Sequence, residues 1–173
     1  EREALELRDI ESKQWNHKGV AKAIDNIHHK INPLLKGVSP YNIEKIDTLL
    51  IEGDGTTNKS QYGANAILAT SLAVLHAAAK SNNKQLFEYL LKNKNYIMPI
   101  PMMNILNGGS HANNNVDIQE FMIMPHNFTS YSDALRAGVE VFHKLKEILV
   151  NKNYNTAVGD EGGFAPSLRE NEE

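Results

Sequence analysis

The stretch "PIPMMNILNGGSHANNNVDIQEFMIMP", residues 99–125, decides how the chain is read. Pro99 and Pro101 stand two residues apart, which forbids a helix and suits an extended entry at a domain junction. The apolar run that follows stops at Asn107-Gly108-Gly109. A polar loop containing Asn113-Asn114-Asn115 comes next, of the kind that often carries function. A second apolar run, "IQEFMIMP", ends at Pro125. Two apolar runs around a polar loop predict two strands. Strand 98–105 runs up, loop 107–118 lies at the top, and strand 119–124 runs down.

Downstream, Ser130 with Asp133 three residues later has the form of a capping box. It opens a long helix whose apolar stripe reads Leu135, Val139, Phe142, Leu145 and Leu149. "NTAVGDEGG" then predicts a third strand, 156–160, running up again. The polar clusters "NGGSHANNN", "DIQEF" and "VGDEGG" therefore meet on one face. Barrel enzymes collect their catalytic groups at such strand ends.

Upstream, the chain changes character. Residues 1–94 read as nearly all helical, starting with the charged "EREALELR". A helix over 18–35 carries Val20, Ile24, Ile27, Ile31 and Leu34, with Pro33 and Gly37 ending it. Ser39 and Pro40 look like the cap and first position of the next helix. Its apolar side is Ile43, Ile46 and Leu50, and "GDGT" closes it. Residues 61–80 form an Ala-rich helix with Leu68, Leu72, Leu75 and Ala79 in register. "KQLFEYLLKN" is a short further helix. The domain division falls at 1–95 and 96–173.

The 173 residues, 41% hydrophobic, can support a core. A net charge of −3 gives no reason to expect nucleic acid or an anionic membrane as partner. The absence of cysteine excludes disulfides and thiolate metal sites. No apolar run approaches the ~18 residues of a membrane span.

The chemistry concentrates in the second half. Glu120 and Glu161 come from separate strands, with His111 above them. Two carboxylates held close together resist being charged at once, so one can keep a proton and serve as a general acid. Gln119 offers an amide to a substrate carboxylate. Gln119 and Glu120 are adjacent, however, and an ideal strand points them to opposite faces. Both reach one site only if the strand is irregular there. Gly159, Gly162 and Gly163 around Glu161 suggest room for a substrate to approach, and Gly108-Gly109 suggests a hinge for a mobile loop over 110–117. Blander readings exist. Glu161 beside Asp160 could be a turn carboxylate and His111 a solvated loop histidine. His28-His29 reads as helix surface. The sequons at Asn58 and Asn127 carry no weight without a secretory signal.

The pieces "GANAILATSLA", "PIPMMNILNGGSHANNNVDIQEFMI" and "AVGDEGGFAP" resemble the enolase family, and the resemblance spans essentially the whole chain. It implies a small N-terminal α+β capping domain followed by the start of a β/α barrel whose second strand is antiparallel. It also implies a Mg²⁺-dependent hydro-lyase of glycolysis, cytoplasmic and homodimeric, interconverting 2-phosphoglycerate and phosphoenolpyruvate. In that family a Lys takes the C2 proton and a protonated carboxyl assists loss of the C3 hydroxyl. By resemblance Glu161 is that acid, Glu120 works beside it, His111 is the loop histidine near substrate, and Gln119 is a substrate-site glutamine, with His111 and Glu120 also touching substrate. The serine loop would precede Glu1. The metal ligands, the Lys base and the phosphate-binding Arg and Ser would follow Glu173. The expectation is thus a piece of a longer enzyme, inactive alone and holding no metal ligand. Gln85 stands where the family commonly has proline. The competing readings are a non-catalytic binding or scaffold relative and another acid/base lyase or racemase of the superfamily.

Overall fold

The computed structural model describes residues 3–91 and 96–173. The chain divides into two compact units, Glu1–Lys94 and Asn95–Glu173. The tail of the expected helix at "KQLFEYLLKN" and the residue-95 boundary lie partly outside the described residues.

The first unit is helical, but its opening segment is not. Leu5 N donates to Asn58 O, and Ala64 N donates to Leu5 O at 2.8 Å. Asn65 brackets Leu7 with two bonds, accepting from its N at 3.1 Å and donating to its O at 3.0 Å. The charged start therefore runs extended along residues 58–65 instead of forming the expected helix.

The helical run from residue 21 to 35 has three parts. These are α1 (Ala21–Asn26), a π-helical turn (Ile27–Ile31) and α2 (Asn32–Leu35). Pro33 lies inside α2 rather than ending it. A proline has no N–H and crowds the carbonyl four residues back, here that of His29. The wider turn before it loosens the ladder at that point. Ala23, Asn26 and Ile31 are buried, whereas Ile24 is 50% exposed.

Helix α3 (Ile43–Asp54) starts later than expected. Its cap is Asn42, whose side chain accepts from Lys45 N at 3.0 Å. Ser39 instead accepts from Tyr41 N in the turn before it. Gly55, at φ +69°, ends the helix in the left-handed conformation that "GDGT" suggested. Helix α4 (Ala64–Ser81) buries Ala66, Ala78 and Ala79, while Leu68 and Leu72 are exposed. The small residues, not the leucines, mark the buried face within this unit. Helix α5 (Leu86–Leu90) begins at Gln85, whose N–H donates to Glu88 Oε2 at 2.8 Å. Ala23, Ile31, Ile46, Leu50, Tyr62 and Ala66 form the unit's core. Each buried aliphatic side chain contributes roughly 1.5–3 kcal/mol.

In the second unit, β1 (Met103–Asn107) pairs antiparallel with β2 (Glu120–Ile123), as expected. The register slips between Asn104 and Leu106, which face Met122 and Phe121, so Ile105 is an extra residue in β1. The segment expected as a third strand, 156–160, forms no strand. It folds back on itself: Gly159 N donates to Gly163 O and Ala165 N to Ala157 O, both at 2.8 Å. The returning arm is what lies beside β1. Phe164 bridges parallel to Leu106, with Asn107 N donating to Phe164 O at 2.8 Å. The glycines turn the chain before "TAV" can extend.

Helix α6 (Tyr131–Asn151) is capped by Ser130, whose hydroxyl accepts from Asp133 N at 3.1 Å. Its inward face runs Ala134, Gly138, Phe142, Leu145 and Leu149, so the expected stripe holds at its last three positions, while Leu135 and Val139 stay exposed. Gly138 stands where a larger side chain would not fit. A Cβ there would lie 2.2 Å from Met103 Sδ, so this side chain of β1 occupies the space over the glycine. Phe142 stacks on Phe164 with ring centroids 4.3 Å apart.

Candidate active site

Three segments bring the predicted side chains together. His111 ends a short 3₁₀ turn (Gly109–His111), Glu120 opens β2, and Glu161 sits at the tip of the hairpin. His111 Nδ1 lies 3.5 Å from Glu120 Oε2 and 3.5 Å from Glu161 Oε1. The hairpin is tied to the histidine's own backbone, with Asp160 N donating to His111 O at 3.0 Å. The Asp160 side chain is exposed.

Gln119 and Glu120 both reach the histidine. Gln119 lies in a bend just before β2, outside the ladder, which supplies the irregularity their adjacency required. Its Nε2 is 2.7 Å from His111 Nε2. An amide N–H donated to Nε2 leaves the imidazole proton on Nδ1, facing both carboxylates. Gln119 thus engages the imidazole directly. Glu120 Oε2 is buried and makes no hydrogen bond. Its 3.5 Å approach to His111 Nδ1 is too long for a well-formed hydrogen bond. A buried carboxylate oxygen left in this state calls for a functional explanation.

The asparagines are what sequence reasoning missed. Asn114 Nδ2 donates to Asn107 O at 2.9 Å and to Pro166 O at 3.0 Å. Asn115 Oδ1 accepts from Leu168 N at 2.9 Å, and Asp117 N donates to Asn171 Oδ1 at 3.0 Å. The loop over 110–117 is thus hydrogen-bonded to residues 166–171. Gly108 serves close packing, since a Cβ there would lie 2.4 Å from Val116 O. The only hint in the sequence was the run of amides, which reads equally well as solvated loop.

The glycines around Glu161 have local structural reasons. A Cβ on Gly159 would lie 2.7 Å from His111 O, and one on Gly163 2.5 Å from Asn107 Oδ1. Gly162 has open space but φ +85°. Tight packing at Gly159 and Gly163 and a left-handed turn at Gly162 account for them.

Residues 1–90 match the family described as enolase, N-terminal domain, and residues 95–173 match enolase, C-terminal TIM barrel domain. The chain belongs to the enolase family. The antiparallel β1–β2 pair and the helical first unit are consistent with an enolase capping domain followed by the start of its barrel. Among the described residues, no helix is long and apolar enough to cross a membrane.

The enolase resemblance implies Mg²⁺. Among the described residues, His111, Glu120 and Glu161 are the group that converges closely enough to hold an ion, with ligand atoms within 4.8 Å of one another. Their chemistry does not fit Mg²⁺, which takes near-octahedral oxygen ligands. The imidazole brings a nitrogen to the set, and its other nitrogen is engaged by Gln119. A His/Glu/Glu set suits proton handling better.

Proposed function

We propose that the protein interconverts 2-phosphoglycerate and phosphoenolpyruvate, with Glu161 as the acid that protonates the departing C3 hydroxyl. On this reading Glu120 stands beside it, His111 faces both carboxyls through one ring nitrogen, and Gln119 fixes the imidazole. A base outside this trio removes the C2 proton, and Mg²⁺ is held by side chains other than these three. The protein is then a cytoplasmic glycolytic lyase, homodimeric as the family resemblance implies. The observation that carries the reading is the convergence of His111, Glu120 and Glu161 from three separate segments on one point. Groups within reach of one another and of a shared reacting atom are what general acid chemistry needs. The buried, unbonded Oε2 of Glu120 supports it further. No contact favours a scaffold role for this cluster.

Phosphoenolpyruvate formation from 2-phosphoglycerate by the purified full-length protein, with Mg²⁺ and after chelation, tests the proposal. We expect turnover that chelation abolishes and added Mg²⁺ restores. A correctly folded protein with no turnover under either condition would contradict it.

A further inference from the structure

We infer that Asn104 is a positioning residue for Glu161, holding one carboxyl oxygen so that the other is aimed at His111. The inference rests on the proposed role of Glu161 as acid.

Asn104 Nδ2 donates to Glu161 Oε2 across 3.5 Å. The other carboxyl oxygen, Oε1, faces His111 Nδ1, also at 3.5 Å. An amide N–H directed at Oε2 restrains rotation of the carboxyl and leaves Oε1 on the side of His111 and Glu120. The 3.5 Å separation is long, and such contacts in a catalytic site without substrate shorten when substrate binds.

The fold builds this contact deliberately. Asn104 and Asn107 are three apart, so a regular strand would point them to opposite faces. The extra residue Ile105 resets the alternation. Both amides consequently face the hairpin, because a Cβ on Gly163 would meet Asn107 Oδ1 at 2.5 Å and Asn104 Oδ1 at 2.9 Å. Asn107 is fully buried, wedged between Gly159 and Gly163 at the hairpin's base. Asn104 reaches past it to the tip. Asn104 Oδ1 is itself buried without a hydrogen bond, so the amide is not placed there for its own satisfaction. Neither asparagine stands out in the sequence, where both lie inside an apolar strand.

The test uses Asn104→Leu, similar in volume but without the donor, and Asn104→Ala, in case the leucine variant does not fold. Each is made in the full-length protein, alone and combined with Glu161→Gln. Steady-state dehydration, exchange of the C2 proton with solvent and thermal unfolding are measured. We expect kcat for dehydration to fall roughly 10- to 100-fold, the scale of a misplaced catalytic group. KM and C2 exchange should stay within about twofold. In the Glu161→Gln background the Asn104 substitution should add almost nothing, because the two act as a unit. Parental dehydration by both Asn104 variants, with Glu161→Gln inactive, would overturn the inference and leave the acid assignment standing. Losses that multiply in the double variant, or equal loss of exchange and dehydration, would reduce Asn104 to a structural role and overturn it as well. A Glu161→Gln protein at parental rate would overturn the acid assignment and this inference together.

Discussion

Gly162 and Gly163 are neighbours with opposite reasons to be glycine. A Cβ on Gly163 would meet Leu106 N at 2.7 Å and two asparagine oxygens closer than 3 Å, whereas Gly162 faces open space at φ +85°. Gly163→Ala should therefore destabilise by about 1–3 kcal/mol through overpacking. Gly162→Ala should cost about 1 kcal/mol of backbone strain. Urea unfolding of the two variants checks the order, and a larger loss at Gly162 would reverse the assignment. Asp54, 1% exposed, makes a second residue-scale case. Burial raises its pKa, but hydrogen bonds from the Thr56 side chain and from the backbone of Tyr62, Thr56 and Gln61 outweigh burial and hold it below the ordinary carboxylate value. Its folded-state pKa thus lies below the unfolded one. The stabilisation is complete above the unfolded pKa of about 3.9 and is lost as pH falls through the folded value. Asp54→Asn should flatten the acid limb of the stability profile and cost about 1.5–3 kcal/mol at neutral pH. An unchanged acid limb would remove Asp54 as its source. The two carboxylates and the histidine that converge were legible in the sequence because each stands in a polar cluster at the end of an apolar run. Asn104, Asn107 and Asn114 were not, because an amide's value depends on what lies opposite, and nothing local to "MMNILN" or "ANNNV" specifies that.

Whole elements were legible where the signal is local and illegible where a distant residue supplies it. Ser130 caps α6 by accepting from Asp133 N and donating its hydroxyl to the Asp133 carboxylate, so the cap could be read directly. α1 has no local cap. Asp9, far upstream, accepts from Ala21 N at 2.7 Å and from Lys22 N at 3.1 Å, and Gly19 lets it approach. The third strand failed for a related reason. Its partner for β1 is Phe164, past the turn rather than before it, and apolar patterning alone does not place a turn to within two residues. At α3 the expected cap, Ser39, stands three residues before the observed one, Asn42. Asn42 makes the bond to Lys45 N, so Asn42→Ala should cost about 1 kcal/mol and Ser39→Ala only a few tenths. Thermal denaturation distinguishes them, and an equal or larger loss at Ser39 would restore the earlier helix start.

At the scale of the molecule, the two units correspond to two enolase family domains, and a β/α barrel closes with eight strands. The described residues of 95–173 contribute a two-stranded sheet, with Phe121 and Met122 of β2 exposed. A sheet this small leaves unpaired edges and an apolar face, which favour self-association. The proposed acid role of Glu161 is tested most directly by one paired measurement: dehydration of 2-phosphoglycerate and solvent exchange of its C2 proton, followed together in Glu161→Gln and in the neighbouring control Asp160→Asn. Glu161→Gln keeps shape and hydrogen bonding but removes the transferable proton. The account predicts dehydration lowered by about 10²–10⁴-fold with C2 exchange largely retained in Glu161→Gln, and both steps near parental in Asp160→Asn. Near-parental dehydration by Glu161→Gln, or its selective loss in a folded Asp160→Asn protein, would contradict it.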